Sequence, residues 1–128
     1  MTAIIPTPWS SDNSVPLDVE QAIKAIQTSR RRHVIAIMDD VESPHSASDL
    51  AEAIAAIELD KDIPELDSQE RKTIYISLIQ RHLDTLDELG AIVYDERSKE
   101  VYATEATSGL AALVRHLESV CEPEVSDE

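Results

Sequence analysis

The hydrophobic pattern of this chain changes its period once, at Gly90, and this change limits the folds that the chain can form. Over 74–89 apolar side chains recur at spacings of three and four, which predicts an amphipathic helix that begins at Asp67 or Ser68. Gly90 supplies the left-handed residue on which many helices end. The next stretch, 91–104, alternates apolar and polar residues around a polar turn and predicts a β-hairpin. The sequence therefore predicts a long helix that leads directly into a hairpin.

Three shorter helices are predicted before this segment. The first begins at Asp18, because Gln21 stands three residues later and completes a capping box. The second covers 30–40, where apolar residues repeat at helical spacing. The third begins at Ser46, with Asp49 in the position of its capping partner.

The order of these elements indicates the fold class. Short helices, a capped long helix and an immediate hairpin form a winged helix-turn-helix, a mostly α fold with a small β-hairpin wing, whose recognition helix enters the DNA major groove. At 128 residues the chain has the length of one domain. We predict an irregular arm at 1–15, a winged helix-turn-helix domain at 16–106, an amphipathic dimerisation helix at 107–121 and an acidic tail at 122–128.

The last helix, predicted over about 108–121, carries a continuous apolar stripe. The stripe is larger than the small hairpin and the helical core require, and an exposed apolar stripe usually marks a partner surface. We therefore predict a homodimer with the interface residues Leu110, Leu113, Val114, Leu117 and Val120.

Basic residues concentrate where a winged helix meets DNA. Eight of the 11 Lys and Arg residues lie at the start of the second helix, on the recognition helix or at the hairpin tip. Phosphate contacts require cations, and Gln and Arg side chains read adenine and guanine edges. The predicted DNA-binding residues are Arg30, Arg31, Arg32, Arg71, Lys72, Thr73, Ser77, Gln80, Arg81, Arg97 and Lys99. The alternative is that each of these is a solvating charge or polar group on an exposed face.

The arginine run has a further feature that bears on its role. Arg30, Arg31 and Arg32 stand at a predicted helix N-terminus, where the helix dipole disfavours cations. A compensating contact, such as a phosphate, is therefore expected for them.

Two stretches also resemble known regulators. Residues 76–93 contain a Ser, an Arg-His-Leu and a Leu-x-x-x-Gly that resemble the recognition-helix signature of ArsR-type transcription regulators, and 28–35 resembles the arginine-bearing start of their second helix. Residues 68–78 read Ser-Gln-Glu-Arg-Lys-Thr-Ile-Tyr-Ile-Ser-Leu and resemble an uncharacterised haloarchaeal family of winged-helix-like domains, a similarity that extends over about 18–104. This second resemblance implies the fold more than an activity.

The charge balance favours a salt-filled cytoplasm. The 26 acidic residues against 11 basic ones give a formal net charge of −15, and the acidic residues are scattered rather than clustered. Such a charge destabilises a compact fold by self-repulsion, and molar salt, with a Debye length of about 3 Å, removes most of this cost. We predict a halophilic archaeal protein; the alternative is an acidic mesophilic protein that binds basic partners.

Catalytic, metal and membrane signatures are absent from the sequence. There is no glycine-rich phosphate loop, nucleophile elbow or His-Glu metal helix, so we predict neither an enzyme nor a metal or cofactor site. The four histidines lack ligand spacing, and Cys121 is interpreted as a small buried hydrophobe. Without a signal peptide or an apolar run of roughly 20 residues, the protein is expected to be cytoplasmic.

Two functions remain open at this point. The first is a sequence-specific, DNA-binding transcription regulator that binds double-stranded DNA as a homodimer. The second is a winged-helix protein–protein interaction module that does not bind DNA. Asp84, Asp87 and Glu88 follow Arg81 on the recognition helix, and the potential of that face separates the two hypotheses.

Overall fold

The computed structural model describes residues 14–122, which form six α-helices and a small antiparallel sheet. In chain order these are α1 (Val19–Ala25), α2 (Ser29–Asp40), β1 (His45–Ser46), α3 (Ala47–Leu59), a 3-10 turn (Ile63–Glu65), α4 (Ser68–Ser77), a π-helical turn (Leu78–His82), α5 (Leu83–Leu89), β2 (Ile92–Asp95), β3 (Glu100–Ala103) and α6 (Glu105–Val120). Most of the predicted arm at 1–15 and all but Glu122 of the predicted tail at 122–128 lie outside the described residues.

Side-chain caps fix the starts of the first three helices. Asp18 accepts from the backbone N–H of Gln21 at 2.7 Å, and the Gln21 side chain accepts from the Asp18 N–H at 3.0 Å, so the predicted capping box is present. Thr28 caps α2, which therefore begins one residue earlier than predicted. Ser46 caps α3 by accepting from the N–H of Asp49 at 2.9 Å, as the sequence indicated.

The recognition helix runs from Ser68 to Leu89, as predicted, but it is interrupted. Asp67 caps its start, and Gly90, with a φ of 86°, ends it. Between α4 and α5 the backbone widens into the π-helical turn, where the N–H of Leu83 donates to the carbonyl of Leu78. A π-turn inserts one extra residue and shifts the helix face that follows it. Hydrophobic spacing alone did not reveal this insertion.

The sheet has one strand more than the sequence predicted. The predicted hairpin is present, with Ile92 paired to Ala103 and Asp95 to Glu100. The added strand is β1, which pairs with β3 and gives the order β1-β3-β2. Two residues are too short to produce an alternating pattern, so this strand had no signal in the sequence.

The last helix begins at Glu105, three residues before the predicted start at Ser108. Thr104 caps it by accepting from the N–H of Ala106, and its own hydroxyl donates to the carbonyl of Gly90 at 2.9 Å. The start of α6 is therefore anchored at the end of the recognition helix. The predicted boundary between 106 and 107 lies inside α6.

One core joins all of these elements, and α6 contributes to it. Fully buried side chains come from α2, α3, the recognition helix, the sheet and α6: Ile35, Met38, Leu50, Ile54, Leu78, Leu83, Leu86, Ile92, Val101 and Leu110. The prediction of an exposed stripe on α6 is therefore wrong for the part of the helix up to Val114, because Leu110 and Val114 are buried and Leu113 packs partly against the core. Leu117 and Val120 are exposed.

The fold is thus mostly α with a small β wing, arranged as a winged helix-turn-helix, as predicted. The α3 helix packs against α4, and the β2–β3 hairpin follows α5 directly. No helix within 14–122 is long and apolar enough to cross a membrane.

Candidate nucleic-acid interface

Arg30 bonds to two other helices of the domain. Its guanidinium donates to both carboxylate oxygens of Glu58, at 2.8 and 2.9 Å, and to the Ser77 hydroxyl at 2.9 Å. The side chains of Arg30 and Glu58 are each less than a third exposed, and the Glu58 carboxylate raises the pKa of Arg30. The paired bonds from Arg30 to Glu58, which we call the fork, connect α2 to α3. The bond to Ser77 connects α2 to the end of α4 and uses a residue that was predicted to contact a base.

Arg31 binds the other end of the π-helical turn. Its Nε donates to His82 Nδ1 at 3.2 Å, and one terminal nitrogen donates to the carbonyl of Lys24 at 2.8 Å. His82 is only 8% exposed. Burial lowers the pKa of His82, and the positive charges of Arg31 and then Arg30 lower this pKa further. We refer to Arg30 and Arg31 as the arginine clamp, because they hold Ser77 and His82 on either side of the turn.

Arg32 completes the contacts of the arginine run. One terminal nitrogen donates to the carbonyl of Ile26 at 2.7 Å. Together with the bond from Arg31 to Lys24, this contact satisfies carbonyls at the C-terminal end of α1, where cations are favoured. The cations at the start of α2 are therefore directed towards carbonyls and a carboxylate within the fold.

Arg71 is also engaged within the domain. It donates to Glu52 of α3 at 3.0 Å and to the carbonyl of Ile63 at 3.1 Å, and so connects α4 to α3 and to the 3-10 turn. Next to it, Lys61 pairs with Glu70 at 2.7 Å. This pairing lowers the pKa of Glu70 and raises that of Lys61.

The outward face of the recognition helix carries the remaining predicted residues. Lys72, Thr73, Gln80 and Arg81 are exposed. Neither Lys72 nor Arg81 forms a salt bridge with a residue in the part of the chain described. Thr73 exchanges hydrogen bonds with Gln69 one turn earlier.

Two further exposed residues of this face are not among the predicted site residues. Gln69 is exposed beside Thr73, and Ile76 is 36% exposed between Thr73 and Gln80. Ile76 could have been found, because it does not fall on the apolar spacing of the helix. An exposed aliphatic side chain here has the chemistry to contact a thymine methyl group.

The wing tip carries Arg97 and Lys99, both exposed. Asp95 closes the turn by accepting from the N–H groups of Arg97 and Ser98, and these bonds lower the pKa of Asp95. Lys99 has a φ of 61°, the left-handed region, and its Nζ donates to the carbonyl of Glu96. Neither cation forms a salt bridge with a residue of 14–122.

The acidic residues beyond Arg81 do not all face outward. Asp84 and Glu88 are exposed, whereas Asp87 accepts from the backbone N–H of Tyr94 at 3.2 Å and so belongs to the junction with β2.

Cys121 is exposed, which corrects the expectation of a buried hydrophobe. It lies just after the last turn of α6, beyond the core.

The model of the family DUF7344, a domain of unknown function, matches residues 23–102, which is more than half of the chain, and the chain belongs to this family. The matched range includes α2 to α5 and most of the hairpin, and it ends before α6. A comparison with curated proteins and a comparison with solved structures each found no match.

Proposed function

We propose that this DUF7344 domain is a sequence-specific transcription regulator that binds double-stranded DNA through the 68–89 helix and the wing, without catalysis. One observation carries the proposal. Lys72, Arg81, Arg97 and Lys99, which form no salt bridge with a described residue, all lie on the recognition helix or the wing tip. These four cations are exposed on a chain of net charge −15, and phosphate contacts require accessible cations.

The contacts within the fold divide the predicted DNA residues into two groups. Lys72, Arg97 and Lys99 are proposed to contact phosphates, and Gln80 and Arg81 to read base edges. The arginine clamp and Arg71 are proposed to hold the helix in place for these contacts, since their guanidiniums are already bonded to neighbouring elements.

The test begins with selection of an operator from random DNA by the full chain in molar KCl. Arg81→Ala or Gln80→Ala should cost about 1–3 kcal/mol at this operator and relax its preference at one base pair. Arg97→Ala should weaken binding to all DNA sequences alike, because phosphates carry no sequence information. Arg115→Ala is the matched control, since this exposed arginine lies on α6 and pairs with Asp39.

A selection that yields no motif would contradict DNA recognition and favour the second candidate, a protein-binding module. That candidate is supported by Ile76, an aliphatic side chain in the middle of the outward face. In that case Ile76→Ser, rather than Arg81→Ala, should abolish partner capture.

A homodimer is proposed on the last two turns of α6. Leu117 is 36% and Val120 64% exposed on this helix, and together they form a smaller apolar surface than the full stripe. Leu117→Glu with Val120→Glu should give a folded monomer by sedimentation or light scattering. Val19→Glu with Ile23→Glu is the control, because these residues are also exposed but lie on α1. A parent protein that is already monomeric would exclude the dimer.

The acidic surface supports a halophilic archaeal host and a cytoplasmic location. A net charge of −15 is tolerated best where molar salt screens it.

A further inference from the structure

His82 is buried at the end of the π-helical turn and is held by a residue of another helix. Its Nδ1 accepts from Nε of Arg31 at 3.2 Å, and 8% of the residue is exposed. An arginine cannot accept a hydrogen bond and does not deprotonate in proteins. The contact therefore requires a neutral imidazole whose proton is on Nε2.

The charges around this imidazole are mostly positive. Arg30 and Arg31 approach from α2, and Arg81 lies next to it in the chain. Within 14–122, Glu58 of α3 is the one carboxylate among the charges that act on His82, and it is already held by the fork of Arg30. A proton on His82 would add another cation to this group, and no described carboxylate near it is free to balance the charge.

We propose that His82 is a positioning residue whose neutral form holds the recognition helix against α2, so that acidification releases the helix. A proton on Nδ1 replaces the acceptor with a donor that faces the Arg31 Nε–H. This removes one half of the arginine clamp and adds charge repulsion at the π-turn. The consequence for DNA binding rests on the function proposed above, whereas the consequence for the fold does not.

The direction of the pH effect follows from linkage. The pKa of His82 is lowered in the folded protein, so between that pKa and the unfolded value of about 6.5 the unfolded chain binds more protons. The stabilising effect of neutral His82 is therefore complete above about pH 6.5 and is lost as the pH falls towards the folded pKa. Each unit between the two pKa values corresponds to about a tenfold change in the folding equilibrium.

The first experiment does not involve DNA. The imidazole of His82 is titrated by NMR in the full chain in molar KCl, with the urea-unfolded chain as its reference. We expect a lower midpoint in the folded protein and an upward shift of this midpoint in Arg31→Gln, which removes a neighbouring cation. A midpoint equal to the unfolded reference would overturn the proposal.

The second experiment measures the folding equilibrium of the parent and of His82→Gln between pH 7.5 and 5.5. A glutamine amide oxygen still accepts from Arg31 but does not titrate, so the acid-dependent loss should be smaller in this variant. His116→Gln, a substitution on α6, should keep the loss of the parent. Equal pH dependence in all three proteins would overturn the proposal even if the NMR midpoint were low.

The third experiment repeats the pH series for binding to the selected operator. Affinity should fall more steeply with acid in the parent than in His82→Gln, while circular dichroism shows that both remain folded. Tighter binding by the parent at pH 5.5 would contradict release of the helix. A parent that selects no operator at any pH rejects the proposed function alone, because the first two experiments still decide the role of His82.

Discussion

The arginine clamp and the cations of the outward face are made of similar residues and are used in different ways. Arg30 and Arg31 are half-buried and bond to Glu58, Ser77 and His82. On the outward face and the wing, Lys72, Arg81, Arg97 and Lys99 are exposed and form no salt bridge with a described residue. A positive charge at a DNA-facing position of the motif therefore does not by itself indicate a DNA contact.

The two groups of cations differ because the partners of the arginine clamp lie far from it in the sequence. Arg30 is separated from Glu58 by 28 residues and from Ser77 by 47, and Arg31 from His82 by 51. Because the helix dipole disfavours cations at a helix N-terminus, the arginine run was expected to contact a compensating group such as a phosphate. Its compensation comes instead from a carboxylate and from carbonyls at the end of α1.

Salt concentration should have the largest effect on thermal stability, and it should have little effect on the contacts of the arginine clamp. Between about 0.1 and 2 M KCl the melting temperature should rise by on the order of 10 °C, because screening relieves the repulsion of a net charge of −15. Differential scanning calorimetry measures this rise. A flat melting temperature would exclude adaptation to salt. The stability difference between the parent and Arg30→Ala should persist in 2 M KCl, since partly buried pairs are screened less.

Removing the Arg30 side chain should have the next largest effect on stability. Arg30→Ala should lower the free energy of unfolding by about 1.5–3 kcal/mol, the range for hydrogen bonds to charged groups. Arg115→Ala should cost less than about 1 kcal/mol, because its pair with Asp39 is 3.6 Å long and the Arg115 side chain is 64% exposed. Urea unfolding followed by circular dichroism measures both. Equal costs would mean that the clamp is no more than a surface ion pair.

The fold was largely predictable, and the features that were missed have physical causes. Local signals found the capping box at Asp18, the stop at Gly90 and the hairpin, because caps, left-handed residues and alternation act over a few residues. The early start of α6 was missed although its cap, Thr104, is local, because the partner in its capping box is Thr107 rather than the Glu or Gln of the usual signature.

The candidate site was less predictable than the fold. Exposure of Lys72, Gln80 and Arg81 follows from helical spacing, so sequence reasoning could locate this face. The bond from Arg30 to Ser77 depends on the packing of α2 against the end of α4, which no local pattern encodes. The exposed apolar surface of α6 was also overestimated. Leu110 and Val114 belong to the core, and this becomes evident only when the elements are packed together.

Substitution of Ser77 should have a smaller effect on stability, and it tests whether this residue serves the arginine clamp or reads DNA. Ser77→Ala removes the hydroxyl that accepts from Arg30 and should cost about 1 kcal/mol of stability. Because Ser77 is proposed to serve the clamp, the base preferences of the selected motif should not change, whereas Gln80→Ala should relax one position. Operator selection with each variant makes the measurement. A changed preference in Ser77→Ala would return this residue to the DNA-reading group.

Substitution of Lys99 should have the smallest effect on stability, and stability and DNA binding should change in opposite directions there. Its φ of 61° is left-handed, which costs a residue with a Cβ roughly 1–2 kcal/mol, whereas glycine adopts this conformation freely and loses roughly 0.5–1 kcal/mol more entropy on folding. Lys99→Gly should therefore stabilise the fold by about 0.5 kcal/mol. The same substitution removes a cation from the wing tip, so binding should weaken for all sequences alike, and the slope of log affinity against log salt should fall by about one.

Lys99→Asn separates the two effects at this position. Asparagine tolerates the left-handed region without glycine's entropy cost, so this variant should lose binding to the same extent as Lys99→Gly while differing from it in stability. Urea unfolding and binding titrations at several salt concentrations measure the pair. If both variants bound DNA as tightly as the parent, Lys99 would have no part in the interface, and a lysine in this left-handed position of an acidic protein would have no advantage over glycine. Loss of binding with a gain in stability would mean that the wing retains this cation at the expense of the fold.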